Sequence, residues 1–342
     1  MNEIKFSTLC YIEKDHKYLM LHRTVKKNDV NKDKWIGVGG HFEYGESPED
    51  CLLREVREET GLRLTSFQFR GILTFLCDDW PMEYISLFTA DGYEGDMISC
   101  DEGVLEWVDK KDIMNLNLWE GDKIFFKLLA ENEPFFSLKL VYEGDRLRQA
   151  CLNGSDMELF DILTPDGEAT GVVKERSIVH GNGDLHGTSH IWLVRRKKDG
   201  FDLLLQKRSL GKDAFPGYYD VSSAGHMNAG DDYLNTAVRE LSEELGVQAE
   251  PRELRFIGMR DSVVKDVFHG KPFHNHELSA IYIYETKLTE EEFTLQKEEV
   301  ESVRWIDFFE FQEKVKKKEI KHCIFEDEIR MLGEAMNCRV DI

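Results

Sequence analysis

Apolar and polar positions along this chain mostly alternate in short runs. Phe6–Ile12 and Tyr18–His22 read as strands, followed by Phe67–Leu76, Tyr84–Thr89 and Val104–Val108. Gly121–Ala130 takes a helical period instead. Phe135–Tyr142 reads as the first arm of a hairpin that turns at Glu143-Gly144-Asp145 into Arg146 onward. A turn-rich stretch, Cys151–Ser155, interrupts the series, and then the alternation resumes. Glu158–Gly167 predicts a hairpin turning at Asp166-Gly167. His190–Val194, Phe201–Leu205, Arg255–Met259, Leu278–Tyr284 and Val303–Ile306 predict strands, and helices fill most of Phe308–Met336. At 342 residues the chain can bury two cores, and the pattern divides it into domains at 1–150 and 156–342.

One segment in each series departs from strand alternation. Gly40, Glu46, Arg54, Glu55, Val56, Glu58, Glu59, Gly61 and Leu62 recur as Gly225, Asp231, Arg239, Glu240, Leu241, Glu243, Glu244, Gly246 and Val247, at a constant offset (225 − 40 = 185). Ser47-Pro48-Glu49-Asp50 is a helix start, with Ser as cap, Pro in the first turn and acids beside the helix N-terminus. Gly61 suits the left-handed residue that ends a helix. In the second copy Asp231 is expected to cap, Leu234, Val238, Leu241 and Leu245 to form the buried stripe, and Gly246 to end the helix.

Glu55, Glu58 and Glu59 stand at i, i+3 and i+4, as do Glu240, Glu243 and Glu244, so each trio shares one helix face. Like charges there repel, while Leu52 and Val56 supply a separate stripe for burial. Arg54 or Arg239 can balance one carboxylate. A hard cation such as Mg²⁺ or Mn²⁺ balances more, because it prefers carboxylate, carbonyl and water oxygens. Gly40 and Gly225 allow close backbone approach, so their carbonyls are candidate ligands.

Composition narrows the partners. Hydrophobic residues at 41% and charged ones at 32% fit an ordinary folded protein, and no run approaches the ~18 apolar residues of a membrane span. The net charge of −22 argues against a nucleic-acid polymer as main ligand, since such binding runs on phosphate neutralisation by Lys and Arg. The basic stretch Lys314–Lys321 reads as a solvated helix face. The seven cysteines are scattered with no Cys-x-x-Cys. The start, Met1-Asn2-Glu3-Ile4-Lys5, lacks a basic region followed by an apolar run. Reduced thiols in a cytoplasm are the expectation.

The repeated segment resembles the signature of the Nudix hydrolases, which cleave nucleoside diphosphates linked to another moiety. The first copy fits throughout, and the second has Asp231 where the family has Glu. The resemblance implies two consecutive α/β/α sandwiches with mixed sheets, a small nucleotide or other diphosphate substrate, and Mg²⁺ or Mn²⁺. A cation held by Glu55, Glu58 and Glu59 would neutralise phosphate and orient water, while a carboxylate removes the water's proton. Glu102 is the candidate loop acid and a possible further ligand in the first domain, and Glu299 the loop acid in the second.

The first domain further resembles enzymes that sanitise oxidised purine triphosphates such as 8-oxo-dGTP. Lys34-Trp35-Ile36-Gly37-Val38-Gly39-Gly40 is similar to the run entering their signature, Phe75 to an aromatic lining their purine pocket, and Leu118-Trp119-Glu120-Gly121-Asp122 to a segment that stacks on the base and reads its edge. Trp119 would stack, the Asp122 carboxyl would hydrogen-bond the purine, and Trp35 is a further candidate substrate contact. Arg23, Lys26 and Lys27 are candidate phosphate ligands. Two departures stand out: Ile36 replaces a base-contacting asparagine, and Gly121 the first of two aspartates. The second domain resembles the branch near isopentenyl-diphosphate isomerase through His180…Leu185-His186, Leu204–Ser209 and Ser222–His226. Ala224 stands where that enzyme has its proton-moving cysteine and Asn275 where it has an acid, so an unidentified diphosphate is expected to be hydrolysed there. Isomerisation, or a non-catalytic nucleotide-binding half, is the alternative. His186, His226, His276 and Glu277 form a further candidate metal set.

Overall fold

The computed structural model describes residues 3–25, 29–78, 80–212, 214–268 and 271–342, so Lys26, Lys27 and His269 lie outside the described residues. The chain divides into two units, Met1–Leu159 with Val173–Ile178, and Phe160–Val172 with Val179–Ile342.

The first unit holds one mixed sheet. Its strands are β1 (Ile4–Lys14), β2 (Lys17–Arg23), β3 (Trp35–Ile36), β4 (Arg63–Cys77), β5 (Met82–Glu94), β6 (Gly103–Asp109), β7 (Phe136–Glu143), β8 (Arg146–Leu152) and β9 (Ser155–Asp156). They run in the order β3-β2-β1-β5-β4-β7-β8-β9, with β6 also on β2. β1 pairs with β5 in parallel and with β2 antiparallel. Cys151–Ser155, read in sequence as a boundary, is the end of β8 and a turn at Asn153-Gly154 that folds β9 back onto it. Helix α1 (Pro48–Thr60) covers one sheet face, where Leu52 and Val56 join Cys10, Ile12, Leu19 and Phe88 in a fully buried cluster. On α2 (Glu120–Ala130), Phe125 and Phe126 pack against Tyr11, the latter edge-on at 4.7 Å.

A hairpin follows, β10 (Leu159–Leu163) and β11 (Ala169–Glu175), closed by the Gly167 N–H donating to the Thr164 carbonyl at 2.8 Å, and then a short helix, α3 (Arg176–Asn182), that the sequence pattern did not announce. The second unit's sheet contains β12 (Leu185–Arg196), β13 (Phe201–Arg208), β14 (Tyr219–Asp220), β15 (Ser223–His226), β16 (Leu254–Phe268), β17 (Lys271–Glu285) and β18 (Val300–Asp307). Its order is β14-β13-β12-β17-β16, with β15 on β12 and β18 on β13, and β12 and β17 are parallel. One face carries α4 (Tyr233–Leu245), which buries Ala237, Leu241 and Leu245. The other carries α5 (Phe308–Lys316) and α6 (Glu326–Ala335), which bury Phe308, Phe311, Ile329 and Leu332. A mixed sheet between helical layers is thus built twice, as expected.

The caps explain why both acidic helices start and stop where they do. Ser47 Oγ accepts the Asp50 N–H at 3.1 Å while Asp50 accepts the Ser47 N–H at 3.0 Å, and Gly61 ends α1 at φ 76°. In α4 the cap is Asp232, not Asp231: its carboxylate accepts the Asn235 N–H at 2.8 Å. Asp231 belongs to the preceding turn, its own N–H donating to the Asn228 carbonyl at 3.0 Å.

Candidate catalytic centres

In both units the helix presents its carboxylates to a glycine loop that leaves the sheet, and each acid of the trio does something different. Glu59 and Glu244 are buried and hold the loop: the Gly39 N–H donates to Glu59 at 3.0 Å, and the Ala224 N–H to Glu244 at 3.1 Å. Glu55 and Glu240 pack on the next glycine. A Cβ at Gly40 would lie 2.5 Å from the Glu55 carboxyl carbon, and one at Gly225 would lie 1.9 Å from that of Glu240. Only a residue without Cβ permits that approach. Glu58 and Glu243 point outward, 62% and 53% exposed.

The arginine ties each trio together. Arg54 donates from Nη1 to Glu55 at 2.6 Å and to Glu58 at 3.2 Å, and from Nη2 to the His41 carbonyl at 3.0 Å. Arg239 repeats this, Nη1 meeting Glu240 at 2.8 Å and Glu243 at 3.0 Å, and Nη2 donating to the His226 carbonyl at 2.9 Å. The copies differ behind the arginine. Glu46 grips Arg54 with both oxygens, at 2.7 Å from Nε and 2.9 Å from Nη2, which holds the Glu46 carboxyl down to about 2. Among the described residues, Arg239 Nε is buried with no hydrogen-bond partner. Asp231, one methylene shorter than Glu46, makes no ion pair with it.

Each trio stands on one helix face beside its glycine loop, with carboxylates of the kind a hard divalent cation prefers, yet its oxygens are spread: among the described residues the histidine set alone brings three ligand atoms within 4.8 Å of one another, and the Gly40 carbonyl already accepts the Thr8 N–H at 2.9 Å. The electrostatics of the second unit fit that occupant. Burial, and then the neighbouring Glu244, push the Glu240 carboxyl up to about 7, and burial also raises Glu244. Without a cation the cluster resists full ionisation.

The loop acids are each held by a cation. Glu102 pairs with Arg23, which also meets Asp29 at 2.8 Å, so Arg23 is a clamp between two carboxylates and not an exposed surface charge. Glu299 pairs with Lys212.

The residues assigned to a purine pocket separate into two groups. Phe75, Trp119 and Asp122 come together, whereas Trp35 stacks on His22 at 4.5 Å instead. Trp119 is only 4% exposed. Its ring meets Phe75 and Tyr142 edge-on at 5.4 and 4.7 Å, its Nε1 donates to Asn31 at 2.9 Å, and the Lys34 ammonium lies 4.7 Å from its centroid. Tyr142 and Asn31 escaped sequence reasoning. The alternation marks Tyr142 only as the end of a hairpin strand, Asn31 lies in a polar turn, and no spacing ties either to Trp119. The Tyr142 hydroxyl accepts the Gly121 N–H at 2.7 Å, and a Cβ at Gly121 would lie 2.6 Å from it. Burial pushes the Asp122 carboxyl up to about 8, against the pull of Lys34.

The histidine set is corrected. His180, His186 and His226 offer ring nitrogens that all lie within 4.8 Å of one another, and Glu277 approaches His226 Nε2 at 3.6 Å. His276 is not among them; it faces Asp261 at 3.1 Å. Consecutive residues on a strand point to opposite faces, so His276 and Glu277 on β17 cannot serve one site. Burial would raise the Glu277 carboxyl, yet His226, with His190 and His186, draws it far below the usual range. Phe160 stacks on His226 at 4.7 Å and on His186 at 5.3 Å. Ala224, at the isomerase's cysteine position, brings only a methyl group.

The NUDIX domain model matches residues 4–129 and again 185–326. Nudix hydrolase 3 of Arabidopsis thaliana is 42% identical over 166 residues, 47% of this chain and 21% of that protein, so the chain spans about a fifth of that relative's length. An oxidized purine nucleoside triphosphate hydrolase of Danio rerio is 30% identical over 112 residues, 32% of this chain and 72% of that protein. Among solved structures, the MutT protein of Bacillus halodurans is 26% identical, with a TM-score of 0.39, covering 44% of this chain and 97% of its own. No described helix is long and apolar enough to cross a membrane.

Proposed function

Because the chain belongs to the Nudix family through both of its halves, we propose that each half hydrolyses a phosphoric anhydride with Mg²⁺ or Mn²⁺. The first half takes purine nucleoside triphosphates, oxidised ones such as 8-oxo-dGTP included, to monophosphate and pyrophosphate. The second hydrolyses another diphosphate-linked compound. The observation that carries this reading is the duplicated trio of carboxylates closed by one arginine against a glycine loop.

When bound, the cation supplies charge neutralisation of the phosphates and acidifies an attacking water. The chain's own residues do the rest. Glu55, Glu58 and Glu59, or Glu240, Glu243 and Glu244, hold the ion. Arg54 and Arg239 fix the direction of the two more exposed acids. Glu102, oriented by Arg23, and Glu299, oriented by Lys212, accept the water's proton. In the first half, neutral Asp122 presents an O–H to an acceptor on the purine edge, beside Trp119 and Phe75. The resemblance to an oxidised-purine hydrolase supports this assignment.

In the second half, His180, His186, His226 and Glu277 offer a nitrogen-rich set for a further divalent cation, of the Zn²⁺ or Mn²⁺ kind. Metal analysis of the dialysed full chain checks this: His226→Ala should lose one equivalent that Glu243→Gln keeps.

The decisive assay screens oxidised and ordinary nucleoside triphosphates, dinucleotides and nucleotide sugars with Mg²⁺, using the full chain and its Glu58→Gln and Glu243→Gln variants. Glu58→Gln should abolish purine triphosphate turnover and leave the second activity. Purine turnover that survives Glu58→Gln but not Glu243→Gln would reverse the assignment.

A further inference from the structure

The outermost strand of the second unit, β16, carries a pattern the hydrolytic reading does not use. It pairs with β17 alone among the described strands, so its other edge of N–H and C=O groups has no strand partner. Edges of this length are normally blunted by Pro, by bulges, by charged side chains or by being very short. Here β16 spans Leu254–Phe268 with no proline, and its one register shift lies between Phe256 and Gly258, leaving the ladder regular from Met259 to Val267.

The side chains along that stretch form a palindrome. Arg260 and Ser262 point into the unit and are buried. On the opposite face stand Met259, Asp261, Val263, Lys265 and Val267, read as apolar, acid, apolar, base, apolar. All five are exposed, Met259 by 41%, Val263 by 49% and Val267 by 62%. Asp261 touches His276 of β17 at 3.1 Å, and Lys265 has no carboxylate partner among the described residues.

We infer that β16 is a homodimerisation edge, pairing antiparallel with β16 of a second copy about a two-fold axis at Val263. That register sets Val263 against Val263, Asp261 against Lys265 twice, and Met259 against Val267 twice. Apolar and opposite-charge pairs directly across a ladder stabilise it, and like charges oppose it. Moving the axis by two residues sets Asp261 against Asp261, or Lys265 against Lys265. Moving it by one sets both charges against apolar partners. The strand therefore selects a single register for its own copy. The contact is isologous, as closed two-fold dimers require, and runs for ~30 Å. A foreign strand would not be expected to match a palindrome, which is why the occupant is a second copy.

Sedimentation equilibrium of the full chain tests this. The wild type should show twice 39.8 kDa at micromolar concentration, and Lys265→Glu and Val263→Lys should each give 39.8 kDa. The exchange Asp261→Lys with Lys265→Asp swaps the charges but keeps the palindrome, so it should restore the dimer. Circular dichroism and hydrolysis by both halves, whose catalytic groups lie elsewhere, confirm that each variant folds. A wild type that stays at 39.8 kDa overturns the inference, as does a dimer that survives both Lys265→Glu and Val263→Lys. If the exchange variant misfolds, the two single variants still decide.

Discussion

The missing methylene at position 231 permits a sharp test of how the two centres differ. In the first unit Glu46 satisfies Arg54 Nε and Nη2 together, at 2.7 and 2.9 Å. In the second, Arg239 Nε is buried without a partner among the described residues. A buried donor left unsatisfied costs roughly 1–3 kcal/mol, and a charge-assisted bond that satisfies it returns a similar amount. Arg239 keeps three other acceptors and its side chain is 30% exposed, so the lower part of that range applies, about 1–2 kcal/mol. Asp231→Glu should therefore slow amide exchange in Tyr233–Leu245 by about 5–30-fold, since each 1.4 kcal/mol is a factor of ten. Glu46→Asp should do the reverse, speeding exchange in Pro48–Thr60 by a comparable factor. Hydrogen exchange read by mass spectrometry resolves both helices in the intact chain. If Asp231→Glu leaves exchange within twofold of wild type while Glu46→Asp accelerates it, the orphaned Nε is not what distinguishes the two centres.

Other outcomes follow from the same geometry. Gly40→Ala and Gly225→Ala drive a methyl into the carboxylates of Glu55 and Glu240, and each should lower hydrolysis by its own half about 10²-fold, measured by phosphate release with saturating Mg²⁺. Gly39→Ala should instead destabilise the first unit, because its Cβ would lie 2.0 Å from the Thr8 backbone oxygen, and the melting temperature should fall. Asp122 titrates near 8 when folded and near 3.9 when unfolded, so its proton favours the native state below pH ~4 and that favour is lost as pH rises to about 8, by about 1.4 kcal/mol per unit. Asp122→Asn should abolish that slope in urea unfolding. Wild-type kcat/KM for purine triphosphates should fall above pH 8 as the O–H donor ionises, while the Asn variant's profile stays flat there; a wild-type profile flat to pH 9 contradicts the assigned proton.

Much of this protein is local, and local features are legible in a sequence. The Ser47 cap, Pro48, the left-handed Gly61 and Gly246 and the i, i+3, i+4 acids all act within a few residues, so their spacing specifies both acidic helices. The one-residue error at Asp231 arose because adjacent aspartates offer equal caps and only the turn at Asn228 separates them. What tertiary structure alone decided are contacts between distant segments. The trio of histidines forms because β12 and β15 are adjacent and α3 folds beside them, and strand alternation expels His276 from it. Tyr142 reaches Trp119 and Gly121 only because β7 lies next to β4. Burial sets whether Asp122 keeps its proton, and burial is a property of the packed chain, not of the residue order along it.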